Sequence, residues 1–416
     1  MFVLKGKKGT FEFEGASPAA SLCLPIAERF PHISAQPADT AKPAFLGTVD
    51  EFVAKVVADR PELADLMKLI TKNRVRRCAC GKSVAYTLPA CNSCGSSLAG
   101  VPVSYTDNVF TSFIFGLEKC SLFPLTISSR LQTEHVIVFD DLLSLSCCHL
   151  NAVPTDDYIM DWRFLLKRPT EGLAVIRRLR SSCERVVREQ FLTDKAWRKK
   201  VFALKKEGDS TREYTDDEIL ECAMTGLNLP PSQFQLHLQF ILPPMIPYQH
   251  FMLLSGNHYT KGRFFPFEFI ADALEAVAKD PSILAGLTID DSTSLDDILP
   301  RLSKCAAHVD YDEYHARMNE RAIRGHDMLC NWTPEDFGGF LVGDKVYKFT
   351  KIEKKDDDTY ECHYDKDSAS TADLRSLTGA DKKILQNYGR PYTADTDKPT
   401  GTYYKYAKDP AKLTVW

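Results

Sequence analysis

Two close cysteine pairs constrain this chain more than any other feature. Cys78-Ala-Cys80 is followed by Gly81, nine residues intervene, and Cys91-Asn-Ser-Cys94 is followed by Gly95. A cysteine pair closed by glycine makes a tight turn whose backbone amides point at thiolates, and glycine tolerates the left-handed backbone that such a turn needs. Four thiolates in a tetrahedron suit Zn²⁺ and leave no open coordination position. The spacing therefore predicts a zinc ribbon over 78–97, with Cys78, Cys80, Cys91 and Cys94 as ligands of a structural rather than catalytic ion. The whole chain has 13 cysteines, an odd count, and Cys147 and Cys148 are adjacent. That usage fits reduced thiols in a cytoplasmic setting better than a disulfide framework.

A second segment carries candidate chemistry. Residues 232–239 read Ser-Gln-Phe-Gln-Leu-His-Leu-Gln. In a strand, alternate side chains share a face, so Gln235, His237 and Gln239 would line one side while Phe234, Leu236, Leu238 and Phe240 point into a core. A neutral imidazole between two carboxamides can attack phosphorus, with the amides holding oxygens on which charge develops. The plain alternative is a core histidine on a half-buried strand.

The 416 residues are too many for one ordinary core, so two or three domains are expected. A net charge of −4 gives no argument for a polyanionic partner, and no apolar run approaches the roughly 18 to 20 residues of a membrane helix. The opening residues lack the apolar core of a signal peptide.

Along the chain, residues 1–77 read as an irregular, proline-punctuated arm containing a short strand (Phe11 to Glu14), then two helices. The first follows a capping box at Thr48-Val-Asp-Glu51, and the second starts at Pro61. Glu134 to Asp141 and Ser146 to Pro154 read as strands. Leu173, Ile176, Leu179, Cys183, Val186 and Val187 recur at helical spacing. The arginines 177, 178, 180, 185 and 188 occupy the other positions of that helix, a face that is either solvated or able to touch a polyanion. Arg198 to Asp216 reads as a charged surface loop, and Pro243, Pro244 and Pro247 as breakers after the octet. Helices are expected over 267–279, 295–305 and 311–328. A small β-rich unit follows, with a hairpin turning at Lys354 to Thr359.

Strand, strand, helix and a strand bearing a histidine among alternating polar residues resembles the histidine-triad superfamily over roughly 108–250. Asn108 to Glu118 is similar to that family's opening segment. Phe139-Asp-Asp141 and His149-Leu-Asn-Ala-Val-Pro154 resemble its Phe-x-Asp and His-x-Leu-Val-x-Pro strands. The octet is similar to the last strand of the transferase branch, above all that of the diadenosine tetraphosphate phosphorylases. Gln235 stands where most of the family has its first histidine, and Thr155-Asp156-Asp157 where it usually has a basic residue.

The resemblance implies an α+β fold: a histidine-triad-like antiparallel sheet with helices over 105–260, preceded by the arm (1–77) and the ribbon. A helical region (261–335) and a β-rich unit (336–416) follow. It implies a nucleotidyltransferase or phosphorylase acting on a nucleoside or dinucleoside polyphosphate through a nucleotidyl-His237 intermediate. Ser232, Gln233, Gln235 and Gln239 would hold phosphate oxygens, Asp141 the ribose, and Lys261 and Arg263 further phosphate charge. Inorganic phosphate is an implied acceptor, since the amide of Gln239 can only exchange hydrogen bonds where a third histidine could move a proton. Mg²⁺ would arrive with the nucleotide, and pairing into a homodimer is a further implication. The alternatives are a non-catalytic nucleotide or RNA binder on a degenerate form of the fold and, third, a nucleotide hydrolase.

Overall fold

The computed structural model describes residues 2–7, 45–92, 94–117, 129–141, 144–245, 250, 253, 259–305, 308–331, 339–342, 345–354, 359–364, 370–371 and 414–415. The strand expected at Phe11 to Glu14 lies outside them. The chain enters with β1 (Phe2–Lys7) and then forms α1 (Val49–Asp59). Thr48 caps α1 through the expected box: its hydroxyl accepts from the Glu51 amide, and the Glu51 carboxylate accepts from the Thr48 amide. A 3₁₀ turn at Pro61–Leu63 leads into α2 (Ala64–Thr71). Val49, Phe52, Met67 and Ile70 from these helices bury a small core with Phe115, Leu117 and Tyr158.

Strands β2 (Lys72–Arg77), β3 (Ser83–Ala85) and β4 (Val103–Asp107) then make a three-stranded sheet in the order β3-β2-β4. The ribbon is thus larger than the cysteine spacing indicates, running from Lys72 to Asp107 rather than 78–97. Its knuckles pack Cys78 and Cys91 on Val84 and Leu98.

The main sheet has six strands, every neighbouring pair antiparallel. In chain order they are β5 (Ser129–Gln132), β6 (Val136–Asp140), β7 (Ser146–Pro154), β11 (Met224–Asn228), β12 (Leu238–Met245) and β13 (Phe264–Pro266). Their spatial order is β13-β11-β12-β7-β6-β5. Between β7 and β11 come β8 (Asp157–Tyr158), α4 (Pro169–Val186), α5 (Lys195–Val201), β9 (Lys205–Glu207), β10 (Ser210–Arg212) and α6 (Asp216–Leu220). After the sheet come α7 (Phe267–Lys279), α8 (Leu295–Ser303) and α9 (Tyr311–Leu329).

Every residue of β7 is buried, because both faces of the sheet are covered. On one face, α4 lays Val175, Ile176, Leu179, Cys183 and Val186 with Val136, Val138, Leu150, Ala152, Leu238 and Phe240; α7 adds Phe269, Ile270 and Leu274. Each Val, Leu, Ile and Phe among them contributes about 1.5–3 kcal/mol by leaving water. On the other face, Met318 and Ala322 of α9 pack with Met224 and Ile241. At the far end of that face lies α3 (Val109–Phe115), capped by Asn108, with Phe113 against Phe139.

Four expectations are corrected here. The helical region 261–335 is not a separate unit: β13 is a strand of the main sheet, and α7 and α9 complete its core. The charged stretch 198–216 is no open loop. It finishes α5, forms the β9–β10 hairpin and starts α6, with Lys205, Arg212 and Glu218 ion-paired. Pro243 and Pro244 do not end the octet's strand, which continues to Met245 through a shift of register after Leu242. There the ladder passes over residues that have no N–H to donate. Lastly, the strand does not begin within the octet until Leu238.

The β-rich end consists of β14 (Gly339–Val342), β15 (Lys345–Lys354), β16 (Thr359–Tyr364), β17 (Ser370–Thr371) and β18 (Thr414–Val415). The expected β15–β16 hairpin is present, and β1 adds to its outer side, so residues of the first and last segments share one sheet. β18 pairs in parallel with β8. No helix among the described residues is long and apolar enough to cross a membrane.

A buried ion pair fastens the edge of the main sheet. The Arg130 guanidinium grips Asp140 through Nε and Nη2 at 2.8–3.1 Å and lies 4.7 Å over the Phe191 ring. Truncating one partner leaves a buried charge uncompensated. Asp140→Ala should therefore cost about 3–5 kcal/mol in urea unfolding, while the double variant Arg130→Met/Asp140→Leu should recover most of that loss.

Candidate functional site

The residues that lead into β12 are shaped by two glutamine side chains. Gln233 accepts with Oε1 from the Asn73 amide group (2.6 Å) and from the Val109 backbone N–H (2.8 Å), while Asn73 Oδ1 accepts from the Phe234 N–H. Gln235 is wholly buried. Its Nε2 donates to the carbonyls of Pro154 and Asp157 (both 2.9 Å), and its Oε1 accepts from the Ile159 N–H (3.2 Å). These bonds replace the ladder that would otherwise pair 232–237, so the segment is irregular although its apolar residues are buried as the alternation predicts. The Gln233 oxygen and the whole Gln235 amide are thus spent inside the fold. The phosphate-holding role expected of the Gln235 side chain is corrected to a structural one, and the Gln233 oxygen is likewise structural.

His237 follows directly. Its Nδ1 lies 2.8 Å from the Gln235 carbonyl oxygen, and its ring meets Phe110 edge-on at 4.7 Å. A carbonyl only accepts, so Nδ1 carries the proton and the lone pair sits on Nε2, which makes no hydrogen bond within the described residues. Burial pushes the imidazole below its ordinary value of 6.5, against the opposing pull of the Gln235 carbonyl and Asp141. The group is a neutral base.

Register builds the rest of this face. Gln239 stands opposite Asn151, and Asn151 opposite Phe139. Asn151 Nδ2 donates to Asp141 Oδ2 at 2.7 Å. The Leu145 N–H donates to His149 Nδ1, which leaves the proton on Nε2, 3.5 Å from the same carboxylate oxygen. His237, Gln239, Asn151, His149 and Asp141 thus form a polar strip between the phenylalanines of α3 and the apolar patch under α9. Sequence reasoning gave Asn151 and Phe110 no role. The parity of Asn151 within its strand was a usable signal; the approach of Phe110 was visible only in three dimensions.

Other candidates lie apart or are occupied. Ser232 is exposed and makes no hydrogen bond among the described residues. Lys261 is exposed and bound to Asp312 at 2.7 Å. Arg263 is half-buried, and burial lowers its pKa. The arginines of α4 and the turn after it are all matched: Arg177 with Glu275, Arg178 with Asp156, Arg180 with Glu184, Arg185 with Glu189 and Arg188 with Asp217. This helix face is not a free basic surface.

The four ribbon cysteines do come together. Their sulfurs lie within 4.8 Å of one another and could hold a metal ion such as zinc. Sγ–Sγ separations are 3.5 Å for Cys78–Cys94 and 3.8 Å for Cys80–Cys91. A tetrahedron with Zn–S bonds of about 2.3 Å has edges of about 3.8 Å, so the donor set fits. Gly81 and Gly95 take φ of +87° and +74° to close the two knuckles. The Ser96 hydroxyl and amide hold the Cys94 thiol down to about 6, favouring the thiolate. No other group of three metal-ligating His, Cys, Asp or Glu side chains occurs among the described residues.

The pKa of His237 gives a pH signature. Because it is lower folded than unfolded, the unfolded chain takes up the proton first as pH falls below about 6.5, and stability declines from there toward the folded pKa. Urea midpoints at pH 7.5 and pH 5.5 should fall more for the wild type than for His237→Asn. The imidazole should also titrate below 6.5 by NMR; titration at or above 6.5 would contradict the buried geometry. Comparison of the chain with protein-family models, with curated proteins and with solved structures gives no match, so the functional reading rests on these residues.

Proposed function

We propose that the polar strip binds a nucleoside or dinucleoside polyphosphate and that His237 transfers its nucleotidyl group. The observation that carries this reading is the 2.8 Å contact between Nδ1 and the Gln235 carbonyl. It leaves the lone pair on Nε2, the atom that would attack phosphorus. Attack of the Nε2 lone pair on an α-phosphorus forms a P–N bond as the bond to the bridging oxygen breaks, and that oxygen leaves with the rest of the polyphosphate. An acceptor oxygen, from inorganic phosphate, then attacks the same phosphorus and releases the imidazole. Gln239 and Asn151 are the neutral amides able to hold oxygens on which charge gathers. With an amide at 239, no third imidazole is available to activate water, which favours phosphorolysis over hydrolysis.

A second reading, nucleotide binding without turnover, is favoured by one observation: His237 is only 4% exposed, with Phe110 against its ring. One assay separates the readings. Protein incubated with labelled diadenosine tetraphosphate, phosphate and Mg²⁺ should yield ADP and ATP, and His237→Asn should lower the rate by at least about a thousandfold. Binding with no product from any acceptor would establish the second reading. Product formed equally well without phosphate would mark a hydrolase.

The ribbon ion is proposed to be zinc in a structural role, since four sulfur ligands leave no site for substrate. Elemental analysis should find one zinc per chain. Cys91→Ser or chelation should lower the melting temperature by at least about 3 °C. A metal-free protein of unchanged melting temperature would dismiss the site.

A further inference from the structure

The ribbon sheet carries a surface that neither the metal nor His237 explains. Between residues 66 and 106 the chain has six cations, Lys68, Lys72, Arg74, Arg76, Arg77 and Lys82, and no carboxylate, although its overall net charge is −4. Four thiolates on a divalent ion would offset only two of those charges. Among the described residues, five large apolar side chains are exposed, and three of them, Leu69 (39%), Val103 (43%) and Tyr105 (53%), lie here.

Strand register brings charge and aromatic surface together. Arg74 pairs with Tyr105 and Arg76 with Val103, so these four share one face of the sheet. The Lys68 ammonium lies 5.1 Å from the centre of the Tyr105 ring, and Arg74 lies 4.2 Å over Tyr86. Beside them opens a cleft of about 200 Å³, whose walls include Lys68, Leu69, Tyr105 and Phe234 as well as the carboxylate of Asp65. Two cations are already engaged: Lys72 with Asp50 and Asp107, and Arg74 with Asp291. Lys68, Arg76 and Arg77 have no carboxylate partner among the described residues. An exposed tyrosine among unmatched cations offers a π-face to a base and positive charge to the adjoining phosphates.

We infer that this face of the ribbon binds single-stranded nucleic acid, with a base stacked on Tyr105 and backbone phosphates on Lys68 and Arg76. Stacking needs an unpaired base, which selects single strands over duplexes, and the cations select a polyanion over an apolar peptide. The site is independent of the chemistry proposed for His237.

Fluorescence anisotropy of the full, metal-loaded chain with a labelled uridine oligonucleotide of about a dozen residues tests it. Tyr105→Ala should weaken binding roughly tenfold, and Tyr105→Phe should hold it within about twofold. Lys68→Ala and Arg76→Ala should each lower the slope of log affinity against log salt by about 0.7. Lys68 is exposed and Arg76 partly so, and unchanged zinc content and melting temperature would show that the fold is intact. His237→Asn should bind like the wild type, so loss of catalysis and loss of this site are separable. The inference is overturned if Tyr105→Ala binds RNA normally, if the same sequence as a duplex binds as tightly, or if polyglutamate competes equally well.

Discussion

The Gln235 carboxamide is the contact on which this site most depends. It sits in the interior and satisfies three backbone groups of the chain leaving β7, the carbonyls of Pro154 and Asp157 and the N–H of Ile159. A buried backbone group without a partner costs about 1–3 kcal/mol, so these bonds decide the path of both segments. They also set the position of the Gln235 carbonyl, which in turn orients His237. A neutral histidine at 235 would have one donor and one acceptor, too few for two carbonyls and one amide. Glutamine at 235 therefore has a local structural cause: the side chain fastens backbone, and only the carbonyl addresses the imidazole.

Gln233 extends the same logic across a long sequence separation. Its single oxygen receives both the Asn73 amide of β2 and the first N–H of α3. The ribbon, the α3 helix and the octet are tied at one point by groups that lie far apart in the chain. Domain limits read from composition miss this, because composition registers neighbours in sequence. The shared core of β13, α7 and α9 with the central strands is the same lesson on a larger scale.

What was legible in the sequence was local. The Thr48–Glu51 capping box, the period of α4, the apolar run of β7 and the Cys-Gly knuckles all depend on residues a few positions apart, and each has its counterpart in the structure. The octet's apolar residues are buried as expected, but so are Gln235 and His237, and the strand was misjudged, since side-chain hydrogen bonds to distant backbone won over the ladder. The Arg130–Asp140 pair joins neighbouring strands and leaves no periodic trace. Charge was the least transparent feature. Five arginines on and just after α4 looked like a basic face and proved to be neutralised by carboxylates from three other segments or from their own helical turns. The ribbon cations drew no notice within a chain of near-balanced charge.

That distribution of charge bears on how a phosphate would be held. On the polar strip the side chains that flank His237 are amides, and the lysine expected to assist is bound to Asp312. Neutral donors bind an anion weakly in water but effectively where water is excluded, because their dipoles are fixed and a low dielectric strengthens each contact. The burial that keeps the imidazole neutral is thus the same condition under which carboxamides could substitute for cations. A Lys or Arg introduced at 239 would not simply add affinity. It would raise the cost of charging the adjacent imidazole, and it would itself need a counter-charge in a site where Asp141 already serves Asn151.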